Sequence, residues 1–155
     1  MKLAVIGKDV SKSDSPKMHT FIARNMGNDI TYDAISIPED AFENWIDGVI
    51  SRYDGFNVTI PYKLSVMPRL KSIEGDAALF GAVNTVRCSD LSGHNTDGLG
   101  FMLMLKNNGV EADSKKVLLL GAGGAGRAVA KKLVQGGAAV CVYDRNIKSS
   151  LSLKD

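Results

Sequence analysis

Apolar residues in this chain come in short runs, and their spacing changes from run to run. Residues 3–6 are uniformly apolar and stop at Gly7, the mark of a buried strand. Ser15 and Pro16 then open a helical pattern, with Ser15 expected as N-cap. Met18, Phe21, Ile22 and Met26 follow at helical spacing, and Gly27 ends the pattern. Residues 31–37 alternate and are β-branched, which predicts a strand. Pro38 opens a second helix, where Phe42, Trp45, Ile46, Val49 and Ile50 are expected to form one apolar face. A strand over 55–60 ends at Pro61. Short helices are expected around 64–70 and 73–80, then a strand over 82–88 and a turn at 90–93 into a return strand.

Thr96 or Asp97 caps a helix running to about Asn107, and Asn107-Asn108-Gly109 stops it. An apolar strand over 117–120, a helix to about Gln135 and a strand over 138–143 complete the pattern. Strands and helices alternate throughout, which predicts an α/β fold with a mostly parallel sheet. The boundary is expected near residues 109–115, giving a first α/β domain over 1–110. Residues 111–155 would then be the first half of a Rossmann-like dinucleotide-binding domain. That fold needs two βαβ halves, and only one is present before the polar tail. The chain is therefore expected to be the front portion of a longer protein. On its own, the stretch after about Ala112 is expected to self-associate or be disordered.

Composition narrows the function classes. The 155 residues are 45% hydrophobic and 23% charged, with net charge +2 and no long Lys/Arg run, so nothing points to nucleic acid. No apolar run reaches membrane-spanning length and no secretory leader is recognisable, which points to the cytoplasm. Cys88 and Cys141 lie far apart without metal-ligand spacing, so they read as two reduced thiols, and no metal site is expected.

Three features carry chemistry. Gly121-Ala122-Gly123-Gly124-Ala125-Gly126 follows an apolar strand and opens a helix, the context of a dinucleotide-phosphate loop. Cofactor choice is read at the next strand end. Asp144 there favours the ribose 2′-hydroxyl of NAD, and Arg145 beside it accommodates the 2′-phosphate of NADP. Lys63 follows a strand and could supply a proton to a developing alkoxide. Asp97 could position an amine. Each also has an ordinary explanation, Lys63 as a solvated lysine and Asp97 as a helix cap. Ser13, Ser15, Thr59 and Asn84 likewise read individually as loop, strand or turn residues.

Taken in order, the polar motifs resemble the shikimate dehydrogenase family. They are Ser13-Asp14-Ser15-Pro16-Lys17-Met18-His19, Asn57-Val58-Thr59-Ile60-Pro61-Tyr62-Lys63, Gly81-Ala82-Val83-Asn84-Thr85 and Asn95-Thr96-Asp97-Gly98, and the glycine loop completes the series. The resemblance reaches to about Arg145. It implies a first domain that binds shikimate or 3-dehydroshikimate and a second that binds NADP, serving aromatic amino acid biosynthesis through chorismate. Ser13 and Ser15 would hold the substrate carboxylate. Thr59, Lys63, Asn84 and Asp97 would meet the ring hydroxyls and the reacting oxygen, with Lys63 and Asp97 as the catalytic pair. The cofactor would lie on residues 121–126 with Asp144 and Arg145. Two positions before the first helix depart from the family: Asp9 stands where it usually has Pro, and Lys12 where it has His before the paired serines. Asp144 stands where it commonly has Asn, which keeps NAD open beside NADP, as in the related quinate/shikimate dehydrogenases. A small-molecule substrate is thus the implied partner, and a homodimer is left open. The 155-residue chain alone is expected to be inactive or poorly active, and a non-catalytic shikimate-binding module is the alternative of a different class.

Overall fold

A computed structural model of the chain describes residues 1–145. They divide by contacts into two compact units. The first holds residues 1–74 and 83–94, and the second holds 75–82 and 95–145.

The first unit is built on β1 (Lys2–Gly7), whose last four residues are buried. It lies between β2 (Thr31–Ser36) and β3 (Gly55–Val58), parallel to both, with Ile6 facing Ile35 and Val58. The sheet extends through β5 (Thr85–Arg87), antiparallel to β3, and β6 (Ser92–His94), antiparallel to β5. The two-residue β4 (Ser72–Ile73) closes the order β2-β1-β3-β5-β6-β4. Two helices connect the parallel strands. Helix α1 (Ser15–Asn25) keeps the anticipated spacing, yet Met18, Phe21, Ile22 and Met26 are all exposed. Helix α2 (Phe42–Arg52) buries Phe42, Ile46 and Val49.

Several expectations need correction. Trp45 is 47% exposed, because the buried stripe of α2 is narrow and follows the i, i+4, i+7 positions. Ser15 is the first helical residue of α1, and Asp14 occupies the N-cap position without a side-chain cap. Residues 64–70 form turns and a 3-10 segment, Met67–Arg69, with Pro68 inside it and Val66 buried beneath. Residues 73–80 are not one helix. Ile73 pairs with Gly93 as a strand, Gly75 turns the chain at φ 52°, and α3 (Asp76–Phe80) begins after it. Such a left-handed φ suits glycine and interrupts helical hydrogen bonding.

In the second unit, α4 (Asp97–Asn107) starts at Asp97 itself, with Thr96 in the N-cap position and no side-chain cap. Strands β7 (Lys116–Leu120) and β8 (Ala139–Tyr143) are parallel and are linked by α5 (Gly124–Gln135), one βαβ unit. Ala112, Val129, Leu133 and Ala138 form its core, against Phe101, Met102, Leu105, Val117, Leu119 and Val140. The other face of the two strands presents Leu118, Leu120 and Tyr143, each at least 64% exposed. Helix α3 is tied to α5 by Lys132 on Asp76 at 2.8 Å, and the Lys131 ammonium donates to the Leu79 carbonyl at 2.8 Å. A Cβ on Gly98 would lie 2.8 Å from the Ala128 carbonyl oxygen, so the start of α4 approaches α5 too closely for any side chain there.

Candidate functional site

Parallel strands β1 and β3 end side by side, and the segments leaving them carry the polar residues. Lys8 N–H donates to the Ile60 carbonyl at 3.1 Å, and Thr59 N–H to the Ile6 carbonyl at 2.9 Å. A Cβ on Gly7 would sit 2.6 Å from Thr59 Cγ2 and 2.8 Å from Val10 Cγ1, so a bare backbone is what lets the two loops close up. From Val10 the chain turns: Ser13 N–H donates to the Val10 carbonyl at 3.0 Å, and Ser13 Oγ accepts from Ser15 N–H at 3.2 Å. Both serines are half-buried at the entrance to α1. The carboxyl end of parallel strands is where α/β proteins place ligands.

Lys63 is held through its neighbour. Tyr62 is buried, stacks on Phe42 with ring centres 4.3 Å apart, and donates its hydroxyl to the Ile37 carbonyl at 2.5 Å. The Lys63 carbonyl accepts from Val83 N–H at 2.9 Å. A short turn anchored by an aromatic thus fixes the backbone from which the amine projects, and the side chain is half-buried. Asn84, buried just before β5, pairs its backbone with both neighbours, accepting from Val58 N–H at 2.8 Å and donating to His94 at 2.9 Å. Ser13, Ser15, Thr59, Lys63 and Asn84 therefore all lie on segments at one end of the first unit's sheet. Asp97 belongs to the second unit. Its backbone N–H is received by Asn95 Oδ1 at 3.0 Å, and Asn95 is itself buried and donates to the Ala82 carbonyl at 2.9 Å.

Sequence reasoning missed the polar side chains behind Asn84. Tyr32 donates to Asn57 Oδ1 at 2.6 Å, Asn57 Nδ2 donates to Thr85 Oγ1 at 3.1 Å, and Thr85 donates to Asn84 Oδ1 at 2.9 Å. The available signal was Asn57, an amide in the middle of an otherwise apolar strand. Burial pushes the Tyr32 phenol up to about 12, so it stays protonated and remains a donor. Tyr32 also stacks on His19, ring centres 4.8 Å apart, and burial holds the His19 imidazole below its ordinary value.

The glycine loop joins β7 to α5 in the second unit. Gly121 sits at φ 106°, and its N–H donates to the Tyr143 carbonyl at 2.8 Å. A Cβ on Gly126 would lie 2.2 Å from the Gly121 carbonyl oxygen, so the third glycine is what lets helix and loop close. Gly123 occupies the N-cap position of α5, Gly124 and Ala125 begin the helix, and Ala122 is buried. Ala122 N–H donates to Asp144 Oδ2 at 2.7 Å, while Arg145 is exposed.

One other cluster has suggestive residue types. Ser92 Oγ lies 3.2 Å from His94 Nε2, and Glu74 lies 3.8 Å from that same nitrogen. A hydrolytic triad needs the acid and the nucleophile on opposite ring nitrogens, so this arrangement cannot relay a proton. Ser92 is fully buried and also donates to Asp90 at 2.8 Å. The Asp90 carboxyl is held far below its ordinary range by Arg87 first and Ser92 second. The group clamps the β5–β6 turn. Among the described residues no metal-binding cluster occurs and no helix is long and apolar enough to cross a membrane. Both cysteines are free, and burial pushes the Cys88 thiol up to about 11.

Residues 5–86 match the family model of the shikimate dehydrogenase substrate binding domain. The chain belongs to this shikimate dehydrogenase family. It is 40% identical over 152 residues to the shikimate dehydrogenase (NADP(+)) of Carboxydothermus hydrogenoformans, covering 96% of this chain and 54% of that one. It is 44% identical over 129 residues to the enzyme of the same name from Nitrosopumilus maritimus, covering 81% and 47%. The chain thus spans about half the length of these curated relatives. In three dimensions it superposes on shikimate 5-dehydrogenase from Thermus thermophilus in complex with NADP(H) and shikimate. That match has a TM-score of 0.89 at 37% identity and covers 99% of this chain and 59% of that one. The α/β fold with a mostly parallel sheet is therefore the fold of this family.

Proposed function

We propose that this chain provides the substrate side and the start of the cofactor side of an NADP-linked shikimate dehydrogenase. The observation that carries the reading is the placement of Ser13, Ser15, Thr59, Lys63 and Asn84 at one end of a sheet in a shikimate dehydrogenase substrate-binding family member. The reaction is the reversible reduction of 3-dehydroshikimate to shikimate, a step toward chorismate and the aromatic amino acids. Residues 1–110 serve the substrate and 111–155 begin the cofactor domain, in a cytoplasmic protein.

Ser13 and Ser15 hydroxyls suit a carboxylate, since each offers a donor at the mouth of a helix. Thr59 and Asn84 hold ring hydroxyls. When bound, the nicotinamide supplies hydride to the carbonyl carbon at C3. Lys63, protonated, gives its proton to the oxygen on which negative charge develops, and in the reverse direction takes that proton back. Asp97 stabilises the ammonium and accepts from the adjacent hydroxyl. This assignment rests on the motif Asn95-Thr96-Asp97-Gly98. The cofactor's phosphates suit Gly121, Ala122, Gly123, Gly124, Ala125 and Gly126, because Gly126 keeps side-chain bulk out of the loop at the N-terminus of a 12-residue helix.

Asp144 favours a second reading. A carboxylate at the end of β8 suits the 2′-hydroxyl of NAD, as in a quinate/shikimate dehydrogenase, whereas Arg145 suits the 2′-phosphate of NADP. Calorimetric titration with shikimate, quinate, NADP⁺ and NAD⁺ separates the readings. The lead reading expects shikimate over quinate and NADP⁺ over NAD⁺. Shikimate binding with neither cofactor would leave only a binding module, and no shikimate binding would overturn the proposal.

A further inference from the structure

Four side chains behind the sheet end form a hydrogen-bonded row whose direction is set by one backbone carbonyl. Asn57 Nδ2 lies 3.3 Å from the Asn84 carbonyl oxygen, an atom that can only accept. The end of Asn57 facing it must therefore be nitrogen, and its oxygen faces the Tyr32 hydroxyl at 2.6 Å. Tyr32 must donate there. The same Asn57 nitrogen lies 3.1 Å from Thr85 Oγ1, so Thr85 accepts from Asn57 and its one hydroxyl hydrogen is directed elsewhere. It goes to Asn84 at 2.9 Å, and the Asn84 atom receiving it must be the carbonyl oxygen Oδ1. The Asn84 amide is thereby prevented from flipping, and Nδ2 with its two donors is turned away from Thr85.

We propose that Thr85 is a positioning residue that acts through Asn84, locking its amide so that it meets a substrate hydroxyl as a donor, with Asn57 and Tyr32 fixing the hydroxyl of Thr85. The inference rests on the reading of Asn84 as a substrate-binding residue. It adds why that amide discriminates. An amide free to flip offers donor and acceptor equally, whereas a locked one favours a ligand oxygen that can accept. Burial suits the device. Asn84 is only 8% exposed, so a flipped amide would set its NH2 hydrogens against the Thr85 hydroxyl hydrogen, donor against donor with no water to accept either.

The test is a double-mutant cycle on the 155-residue chain, read by NMR titration with shikimate. Thr85→Val weakens binding about five- to tenfold, the equivalent of one neutral hydrogen bond, and Thr85→Ser restores it. In an Asn84→Ala background Thr85→Val produces no further loss, because its partner is gone. An equal loss in both backgrounds would show a merely structural residue and overturn the inference, as would no loss in either. Should Thr85→Val not fold, Tyr32→Phe takes its place, keeping the ring stack on His19 while removing the donor that fixes Asn57. It is expected to weaken binding in the wild-type background only. A ligand-free measurement keeps the two proposals apart. Side-chain amide NOEs place Asn84 Nδ2 away from the Thr85 methyl in the wild type and in both orientations in Thr85→Val. If the wild type binds no shikimate, the functional reading fails while the amide orientation still decides this one. A single unchanged orientation in both proteins would refute the lock.

Discussion

An amine on an anchored turn is the group from which the proposed chemistry starts, and its removal is the most direct residue-scale prediction. In a form of the protein that turns over, Lys63→Ala lowers kcat about 10²- to 10⁴-fold, with a much smaller change in shikimate affinity. Steady-state kinetics and a titration on the same variant check both parts, and an unchanged kcat removes Lys63 from the mechanism. Tyr32 gives a second prediction. Its phenol is pushed up to about 12 by burial, above its unfolded value, so the folded state holds the proton more tightly. That contribution to stability is complete below the unfolded value of about 10 and is lost as pH rises toward 12. Denaturant midpoints measured across this window fall in the wild type and fall less in Tyr32→Phe. His19 runs the other way. Its imidazole is held low by burial, so its contribution is present above the ordinary histidine range and is lost as pH falls through it.

At the scale of elements, the βαβ turn is the least tolerant part. Gly126→Ala would place a Cβ 2.2 Å from the Gly121 carbonyl oxygen, a backbone atom that cannot move without opening the loop. The expected cost is about 1–3 kcal/mol, localised in amides of α5 and the loop and readable by hydrogen exchange. Unchanged protection there would mean that the loop has room the geometry denies. Helix α1 makes the opposite point. Its hydrophobic spacing is helical, but none of its residues is fully buried, so the period correctly indicated the helix and said nothing about burial.

For the molecule as a whole, the exposed face of β7 and β8 has the clearest consequence. Leu118 is 65% and Leu120 73% exposed on neighbouring positions of one strand face, with Tyr143 at 64% on the next strand. Apolar surface of this kind favours association. Sedimentation of the 155-residue chain is expected to show concentration-dependent self-association that Leu118→Lys with Leu120→Lys reduces. A wild-type chain that remains monomeric at every concentration contradicts this.

Most of the fold could be read in advance because strand and helix periods are local. The apolar run before Gly7, the alternation before Pro38 and the strand–glycine-loop–helix order each sit within a dozen residues. The readings that failed needed information from elsewhere in the chain. Ile73 is a strand residue because Gly93 lies beside it, and Trp45 is exposed because α2 buries only a narrow stripe. Motif order singled out Ser13, Ser15, Thr59, Lys63 and Asn84 as candidates, and the sheet showed that their segments share one end. The sequence by itself determined the elements, the glycine turn and the identity of the chemical groups, since these depend on residue type and near neighbours. Only the tertiary structure decided the state of Asn84. Its orientation depends on Tyr32, Asn57 and Thr85, residues brought together from three strands by pairing that no local period encodes.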